Sequence, residues 1–334
     1  MEVVYHDFNR IDEIKAFIEE WQNDKDYITC ETSGSTGIPK RIELNKRLVR
    51  HSAERTIKHF KLTIGMKAGL ALSTSSIAGK LMVVRALIAQ LELHVLPVTK
   101  NPLFGVNICF DFIALVPTQA MAITEENPKS IQAATVLIGG ASLTQAQHNA
   151  ISRTCKNAFQ TYGMTETASH VALRRITTEN DTFYEGLEGI RFEIEDSCLV
   201  IFGDDFKHGI KTNDTVSLIS ETVFNYIGRN DFAINVGGIK VHPEEIEHLL
   251  RNYIPYEFII VPFADDVYGQ GIGIAIAGSF IPSKAGLSDI PELKATKMPR
   301  KYMHLNELIH NANGKIDRLA ITEISKRNEW KSIL

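Results

Sequence analysis

Four short stretches carry the residue types that chemistry at phosphorus needs. Thr32-Ser33-Gly34-Ser35-Thr36-Gly37-Ile38-Pro39-Lys40 gathers hydroxyls, two glycines and a lysine just after the strand-like YITCET. Glycine lets a backbone approach phosphate oxygens, and exposed N–H groups there form an anion nest. The hydroxyls can donate to the same oxygens, and Lys40 adds a point charge. The stretch is not a Walker A loop, because Pro39 precedes the lysine and the GK[ST] ending is absent. On composition alone, a Ser/Gly-rich surface turn is an equal reading.

Tyr162-Gly163-Met164-Thr165-Glu166-Thr167 sets a carboxylate beside hydroxyls, a combination that can hold Mg²⁺ while the hydroxyls touch phosphate. Taken alone, it reads better as a helix N-cap. Gly228-Arg229-Asn230-Asp231 is followed by Asn235-Val236-Gly237-Gly238, whose glycine pair indicates positive φ or close ligand approach. Asn311-Ala312-Asn313-Gly314-Lys315-Ile316-Asp317-Arg318 is a tight turn presenting Lys315, which in isolation is a solvated turn lysine.

These stretches need elements to position them. Residues 10–22 have helical apolar spacing, residues 46–60 read as a helix, and residues 79–91 as a buried helix carrying Lys80 and Arg85. GLALSTSS, LELHVLPV, FIALVPTQ and ATVLIGG read as strands, and their alternation with helices predicts a largely parallel α/β sheet. From Phe183 the strands shorten into a β-rich sub-unit. After residue 231 the order becomes PEEIEHLLRNY as a helix opened by Pro243, then EFIIVPFADD and GIGIAIAGSFI as strands, which is a compact α+β pattern. The expected domains are therefore 1–230 and 231–334.

Composition narrows the function classes. The 334 residues are 44% hydrophobic and 23% charged with a net charge of −4, which gives no electrostatic reason to expect nucleic acid or an anionic membrane surface. The start, MEVVYHDFNR, lacks a secretory h-region, and the best apolar run, Leu81 to Leu93, contains Arg85, Gln90 and Glu92. Cys30, Cys109, Cys155 and Cys198 have no metal-ligand spacing and read as reduced cytoplasmic thiols.

Taken in order, TSGSTGIPK, YGMTE, GRND…NVGG…HPEEIE and NGKIDR resemble the adenylate-forming superfamily of acyl-CoA synthetases, adenylation domains and luciferases, from Thr32 to about Arg318. Within it, ALVPTQ, VLIGGASL, QTYGMTETAS and FIIVPFADDVYG make the chain most similar to the o-succinylbenzoate–CoA ligases of menaquinone biosynthesis. The resemblance implies the adenylate-forming fold: a large N-terminal α/β domain with a β-rich sub-unit, and a small mobile α+β C-terminal domain. It implies ATP, Mg²⁺ and CoA, with a carboxylic acid as the other partner, and it admits a homodimer.

Carried over residue by residue, the resemblance gives the β- and γ-phosphates to Thr32, Ser33, Gly34, Ser35, Thr36, Gly37 and Lys40. Gly139, Gly140 and Ala141 would line the adenine and acyl pocket. Tyr162, within Tyr162-Gly163-Met164, would stack on adenine, Thr165 would contact phosphate, and Glu166 would ligate Mg²⁺. Asp214 and Arg229 would reach the ribose, Asp231 would be the hinge, and Lys315 would contact the reacting carboxylate and α-phosphate. Val236, Gly237, Gly238, Ile239 and Lys240 would line the path of the CoA thiol. The acid would meet Lys80, Arg85, Thr118 and Gln119, with Arg85 expected on its second carboxylate against the alternative of a snorkelling core arginine.

Three departures from the family pattern accompany this. Only 31 residues precede Thr32, so a trimmed N-terminal region is expected; Ser75-Ser76 replace an aromatic–histidine pair; and Asn213 stands where glycine is usual. Two alternatives remain open: an enzyme that loads a carrier protein or takes another acid, and a catalytically silent nucleotide-binding relative.

Overall fold

Short apolar runs bounded by turns make strands buried on both faces, and these build the first part of the molecule. The structure is a computed structural model that describes residues 1–32, 40–132, 134–143, 145–178, 183–310 and 316–334. It divides into two compact units. One comprises Met1–Glu193, Val200–Ile210 and Leu218–Asn225, the other Ile194–Leu199, Lys211–Ser217 and Tyr226–Leu334.

In the first unit, strands β1 (Glu2–Tyr5), β2 (Tyr27–Thr32), β3 (Lys40–Asn45), β4 (Lys67–Leu70), β5 (Glu92–Val95), β6 (Phe112–Leu115), β7 (Thr135–Ile138), β8 (Asn157–Met164), β9 (Ser169–Arg175) and β10 (Phe183–Gly186) alternate with helices α1 (Ile11–Gln22), α2 (Lys46–Phe60), α3 (Ile77–Ala89), α4 (Pro117–Glu126) and α5 (Gln145–Thr154). The large sheet begins in the order β1-β5-β4-β6-β7-β8-β9-β10. β1 through β8 in that order pair in parallel, and β9 and β10 continue the sheet antiparallel, with β10 pairing next to the later strand over Val223–Arg229. The parallel part is the sheet that the strand–helix alternation predicts.

The chain leaves β4 through α3 to β5 on one side, then returns to place β6 on the other side of β4. That reversal is a topological switch point, where α/β sheets open a crevice at the carboxyl ends of their strands. α3 and α4 start just beyond β4 and β6. The FIALVPTQ run is shorter as a strand than its composition suggests. It stops at Leu115, and Pro117 opens α4, a position where its missing N–H costs nothing. Lys40–Asn45, with Ile42 and Leu44 alternating inward, pairs antiparallel with Tyr27–Thr32 as a separate ribbon.

Strands β11 (Arg191–Glu195), β12 (Cys198–Gly203) and β13 (Phe206–Lys211) form a three-stranded sheet, followed by β14 (Asp214–Ser220) and β15 (Val223–Arg229). The second unit continues with β16 (Ile234–Val236), β17 (Ile239–Val241), α6 (Pro243–Leu250), β18 (Phe258–Asp265), β19 (Gly269–Ala277), α7 (Lys284–Ser288), β20 (Lys301–Leu305), α8 (Arg318–Ser325) and β21 (Lys331–Ser332). Alternation in β18 and β19 splits its core into two layers. Ile260, Ile274 and Ile276 pack with Ile246 and Leu250 of α6, whereas Ile259, Val261 and Ala275 pack with Ile321 of α8.

Candidate active site

Beyond the carboxyl ends of β4, β5 and β6, the loops of the first unit are fixed by a buried and a half-buried side chain that the sequence did not single out. Arg10, 5% exposed, donates through Nη1 to the carbonyls of Leu70 (3.0 Å) and Leu96 (2.6 Å) and through Nη2 to that of Leu72 (2.7 Å). Its Nε bonds Glu13 at 3.0 Å. Glu13 Oε1 accepts from the Ser73 hydroxyl and from both the backbone N–H and hydroxyl of Thr74. Burial works against the Glu13 anion, but the Arg10 and Thr74 bonds outweigh it and hold its pKa at about 2. The Ser73–Ser76 loop is thus locked onto α1. Ser76 caps α3 by accepting from Gly79 N–H at 3.2 Å, and any Cβ on Gly79 would collide with the Ser73 carbonyl.

Of the four residues assigned to the acid, the structure commits two elsewhere. Lys80 Nζ pairs with Glu20 at 2.9 Å and sits 4.3 Å from the Phe17 ring centroid. Gln119 accepts from Val116 N–H at 3.1 Å and donates to the carbonyls of Ala71 (3.0 Å) and Thr99 (3.1 Å), tying together the chain just beyond β4, β5 and β6. Thr118 is exposed. Arg85 is 2% exposed on α3; its Nη1 lies 3.7 Å from Met82 Sδ, and its Nε and Nη2 have no hydrogen-bond partner among the described residues. Burial pushes its pKa down to about 9. The neighbouring His170 is held neutral by burial and by the charges of Arg85 and Arg55.

At the next two strands, Gly139-Gly140-Ala141 follow β7 and Tyr162-Gly163-Met164 end β8, so the structure brings both stretches to the same carboxyl edge. A Cβ on Gly139 would lie 2.5 Å from Thr161 Oγ1, and Gly140 has φ +88°. The Tyr162 ring stands edge-on to Phe224 with centroids 5.0 Å apart, and 5.7 Å from Tyr184. Glu166 is exposed and Thr165 half-buried on the turn that follows. One exposed carboxylate beside hydroxyls suits Mg²⁺ carried on phosphates rather than an all-protein cage. Among the described residues, no group of three His, Cys, Asp or Glu could hold a metal. Ser33, Gly34, Ser35, Thr36 and Gly37 lie outside the described residues. Thr32 and Lys40 are seen only as a backbone pair closing the β2–β3 ribbon.

In the second unit the structure brings Asp214, Arg229 and Asp231 together. Arg229 reaches Asp214 at 3.6 Å and Asp231 at 2.7 Å, and Asn230 N–H donates to the Asn213 carbonyl at 2.7 Å. Arg229 N–H also donates to Glu244 Oε1 at 3.3 Å, and a Cβ on Gly228 would press on Glu244 Oε2. Gly237 (φ +59°) and Gly238 (φ +91°) form the two-residue turn between β16 and β17. Two successive positive φ values are what such a hairpin demands, so the turn by itself accounts for the glycine pair. Val236, Gly237 and Ile239 line a cavity of about 270 Å³ with Tyr268, Met298 and Arg300, the last stacked on Tyr268 at 4.4 Å. Lys315 lies outside the described residues. Its flanks are anchored by the His310–Ile316 bridge and by Arg318, which pairs with Glu247 at 2.9 Å.

Comparison with known proteins adds a family to this geometry. The profile of AMP-binding enzymes matches residues 9–194. The D-alanine–D-alanyl carrier protein ligase of Lactococcus lactis is 27% identical over 50% of this chain and 41% of its own length, so the chain spans well under half of that relative. The 2-succinylbenzoate–CoA ligase of Haemophilus influenzae is 24% identical over 97% of this chain and 76% of its own. A crystal structure of an acyl-CoA synthetase (AMP-forming)/AMP-acid ligase II-like protein from Dyadobacter fermentans superposes with a TM-score of 0.61 at 31% identity, covering 94% of each chain. The architecture is that of the adenylate-forming enzymes.

Proposed function

The chain belongs to the AMP-binding enzyme family, and from that membership we propose that it activates a carboxylic acid with ATP as an acyl-adenylate and passes the acyl group to CoA. The acid we propose is o-succinylbenzoate, which places the protein in menaquinone synthesis, and the four free thiols suit a cytoplasmic setting. The observation that carries the choice of acid is Arg85, a buried guanidinium with two nitrogens unpartnered among the described residues. An unpaired buried charge is costly, and the ring carboxylate of o-succinylbenzoate would satisfy it.

In this reading Thr32 to Gly37 and Lys40 hold the β- and γ-phosphates, Tyr162 and Gly139 to Ala141 take adenine, and Asp214 with Arg229 takes the ribose. Mg²⁺, held through Glu166, would neutralise charge as pyrophosphate leaves. Both reactants are anionic, so Lys40 and Lys315 offset their repulsion while the substrate oxygen attacks the α-phosphorus directly. Positioning and electrostatics supply the rate, with no protein nucleophile. The residues after Asp231 would then turn about it, withdrawing Lys315 and presenting Val236 to Lys240, with the adjoining cavity receiving the arm that bears the thiol.

The test is AMP release with o-succinylbenzoate, ATP, Mg²⁺ and CoA. Thioester formation supports the reading, and pyrophosphate exchange across a panel of acids with none for o-succinylbenzoate overturns the acid. The similarity to carrier ligases favours a second reading, delivery to a carrier-bound thiol. Exchange that proceeds normally but yields no CoA thioester would select it. ATP binding without any exchange would mark a silent relative.

A further inference from the structure

The turn that carries Thr165 and Glu166 is strained. Ala168 and Ser169, neither of them glycine, have φ of +50° and +85°. Left-handed backbone at ordinary residues persists only where the surroundings over-determine it. Part of that constraint is local. The buried Thr167 hydroxyl accepts from Met164 N–H at 3.0 Å and lies 2.6 Å from the Ser169 carbonyl. Gly163 packs so closely on Ser169 and His170 that any Cβ would overlap their backbone.

The rest comes from α2, far away in sequence. Ser52 and Thr56, both 0% exposed, stand one turn apart on the face of α2 that meets this turn. Ser52 Oγ donates to the Ala168 carbonyl at 2.6 Å, the peptide between the two left-handed residues. Thr56 Oγ1 donates to the Ser52 carbonyl at 3.1 Å, which uses its single proton, so His170 Nε2 at 3.1 Å must be the donor to Thr56. The opposite nitrogen, Nδ1, is left to accept from the Ser169 hydroxyl at 3.5 Å. A closed ring of hydrogen bonds and backbone therefore runs from Ser52 through Ala168, Ser169, His170 and Thr56 back to Ser52. The far side of α2 is pinned independently, because Asp205, nearly buried, bonds His51 at 2.7 Å and Arg55 at 3.5 Å.

We propose that Ser52, Thr56 and His170 are positioning residues, a buried brace that fixes the left-handed Ala168–Ser169 backbone and so aims Thr165 and Glu166 at a magnesium-bound triphosphate. The proposal rests on the reading of Glu166 as the carboxylate that meets Mg²⁺. All three are buried. They act by holding a conformation that ordinary residues otherwise avoid, as outer partners hold the ligands of a metal site.

The experiment is pyrophosphate exchange by the full chain with o-succinylbenzoate, titrated with free Mg²⁺ at fixed ATP, for Ser52→Ala, Thr56→Val, Thr56→Ser and Glu166→Gln. Ser52→Ala and Thr56→Val should raise the half-saturating Mg²⁺ roughly ten-fold. The KM for the acid and thioester formation from a supplied acyl-adenylate should stay at the wild-type level. Thr56→Ser, which keeps the hydroxyl, should titrate like wild type. A lowered melting temperature with an unshifted Mg²⁺ titration would overturn the brace as a positioning device and leave it structural. Should Ser52→Ala fail to fold, the contrast between Thr56→Val and Thr56→Ser decides alone. Glu166→Gln separates the two levels of inference. A shift there with none in the α2 variants sinks only the brace, whereas no shift in Glu166→Gln sinks the reading on which it rests.

Discussion

A guanidinium held away from water with two nitrogens unpaired among the described residues is costly, and that cost is the clue to its use. Among the described residues no carboxylate pairs with Arg85, and burial alone accounts for its lowered pKa. Arg55 bears with Arg85 on His170, whose ring stays neutral and offers Arg85 no compensating charge. The free protein should therefore be less stable with Arg85 than with an apolar residue of similar length, because a lone buried charge is replaced favourably by a hydrophobe. Arg85→Met should raise the melting temperature of the ligand-free protein by a few degrees, roughly the effect of 1–2 kcal/mol. The same variant should lose about 100-fold in kcat/KM on o-succinylbenzoate, since a hydrogen-bonded charge is worth about 1.5–3 kcal/mol, and lose little on 4-oxo-4-phenylbutanoate, which lacks the ring carboxylate. Steady-state kinetics on both acids check this. Equal losses would show that Arg85 serves packing. Lys80, already neutralised by Glu20 and lying over Phe17, should show no such discrimination when changed to Met.

The elements make a carboxyl edge whose loops are tied down by side chains reaching to backbone carbonyls. Gln119 joins the ends of three parallel strands, so Gln119→Ala should destabilise by roughly 2 kcal/mol and should affect both acids alike. The Arg10–Glu13 pair makes the sharper prediction because it titrates. The folded pKa of Glu13, at about 2, lies below its ordinary 4.5. Its contribution is therefore fully present above about pH 4.5 and is lost as pH falls through 2. Wild type should exceed Glu13→Gln in stability by roughly 2 kcal/mol near neutrality, with the gap closing between those two values in urea unfolding at each pH. A gap that stays constant across that range would refute the assigned ion pair.

These ties also show where sequence stops being informative. FIAL and TVLI announce buried parallel strands because both faces need apolar residues, and α1 shows its face through Ile14, Phe17 and Trp21. Arg10 leaves no such trace. Most of its partners are carbonyls at or just beyond the ends of β4 and β5, which any sequence supplies, and only the folded sheet places them within reach. Lys40–Asn45 was legible in principle through Ile42 and Leu44, but its charged residues blend into the phosphate-loop motif. The glycines at 237 and 238 pointed correctly to positive φ, and the hairpin supplies a reason without a ligand.

At the scale of the whole molecule, the motif residues are shared between two compact units, and neither holds a complete set. Gly139 to Glu166 lie in the first, while Asp214, Arg229, the 236–240 hairpin and the described residues on either side of Lys315 lie in the second. A reaction in two halves suits such a division, because the group that stabilises the adenylation transition state must give way to the thiol. Lys315→Ala should then reduce adenylate formation by at least roughly 100-fold, the scale of a lost electrostatic stabiliser, yet convert a supplied acyl-adenylate to thioester at close to the normal rate. Asp231→Pro should do the reverse, retaining pyrophosphate exchange while losing thioester formation, because proline fixes the φ that a hinge must change. Single-turnover measurements of each half separate the outcomes. Two variants from one unit failing in opposite halves would require the unit to occupy two working positions, whereas equal failure in both halves would mean that residues 231 and 315 merely hold the second unit together.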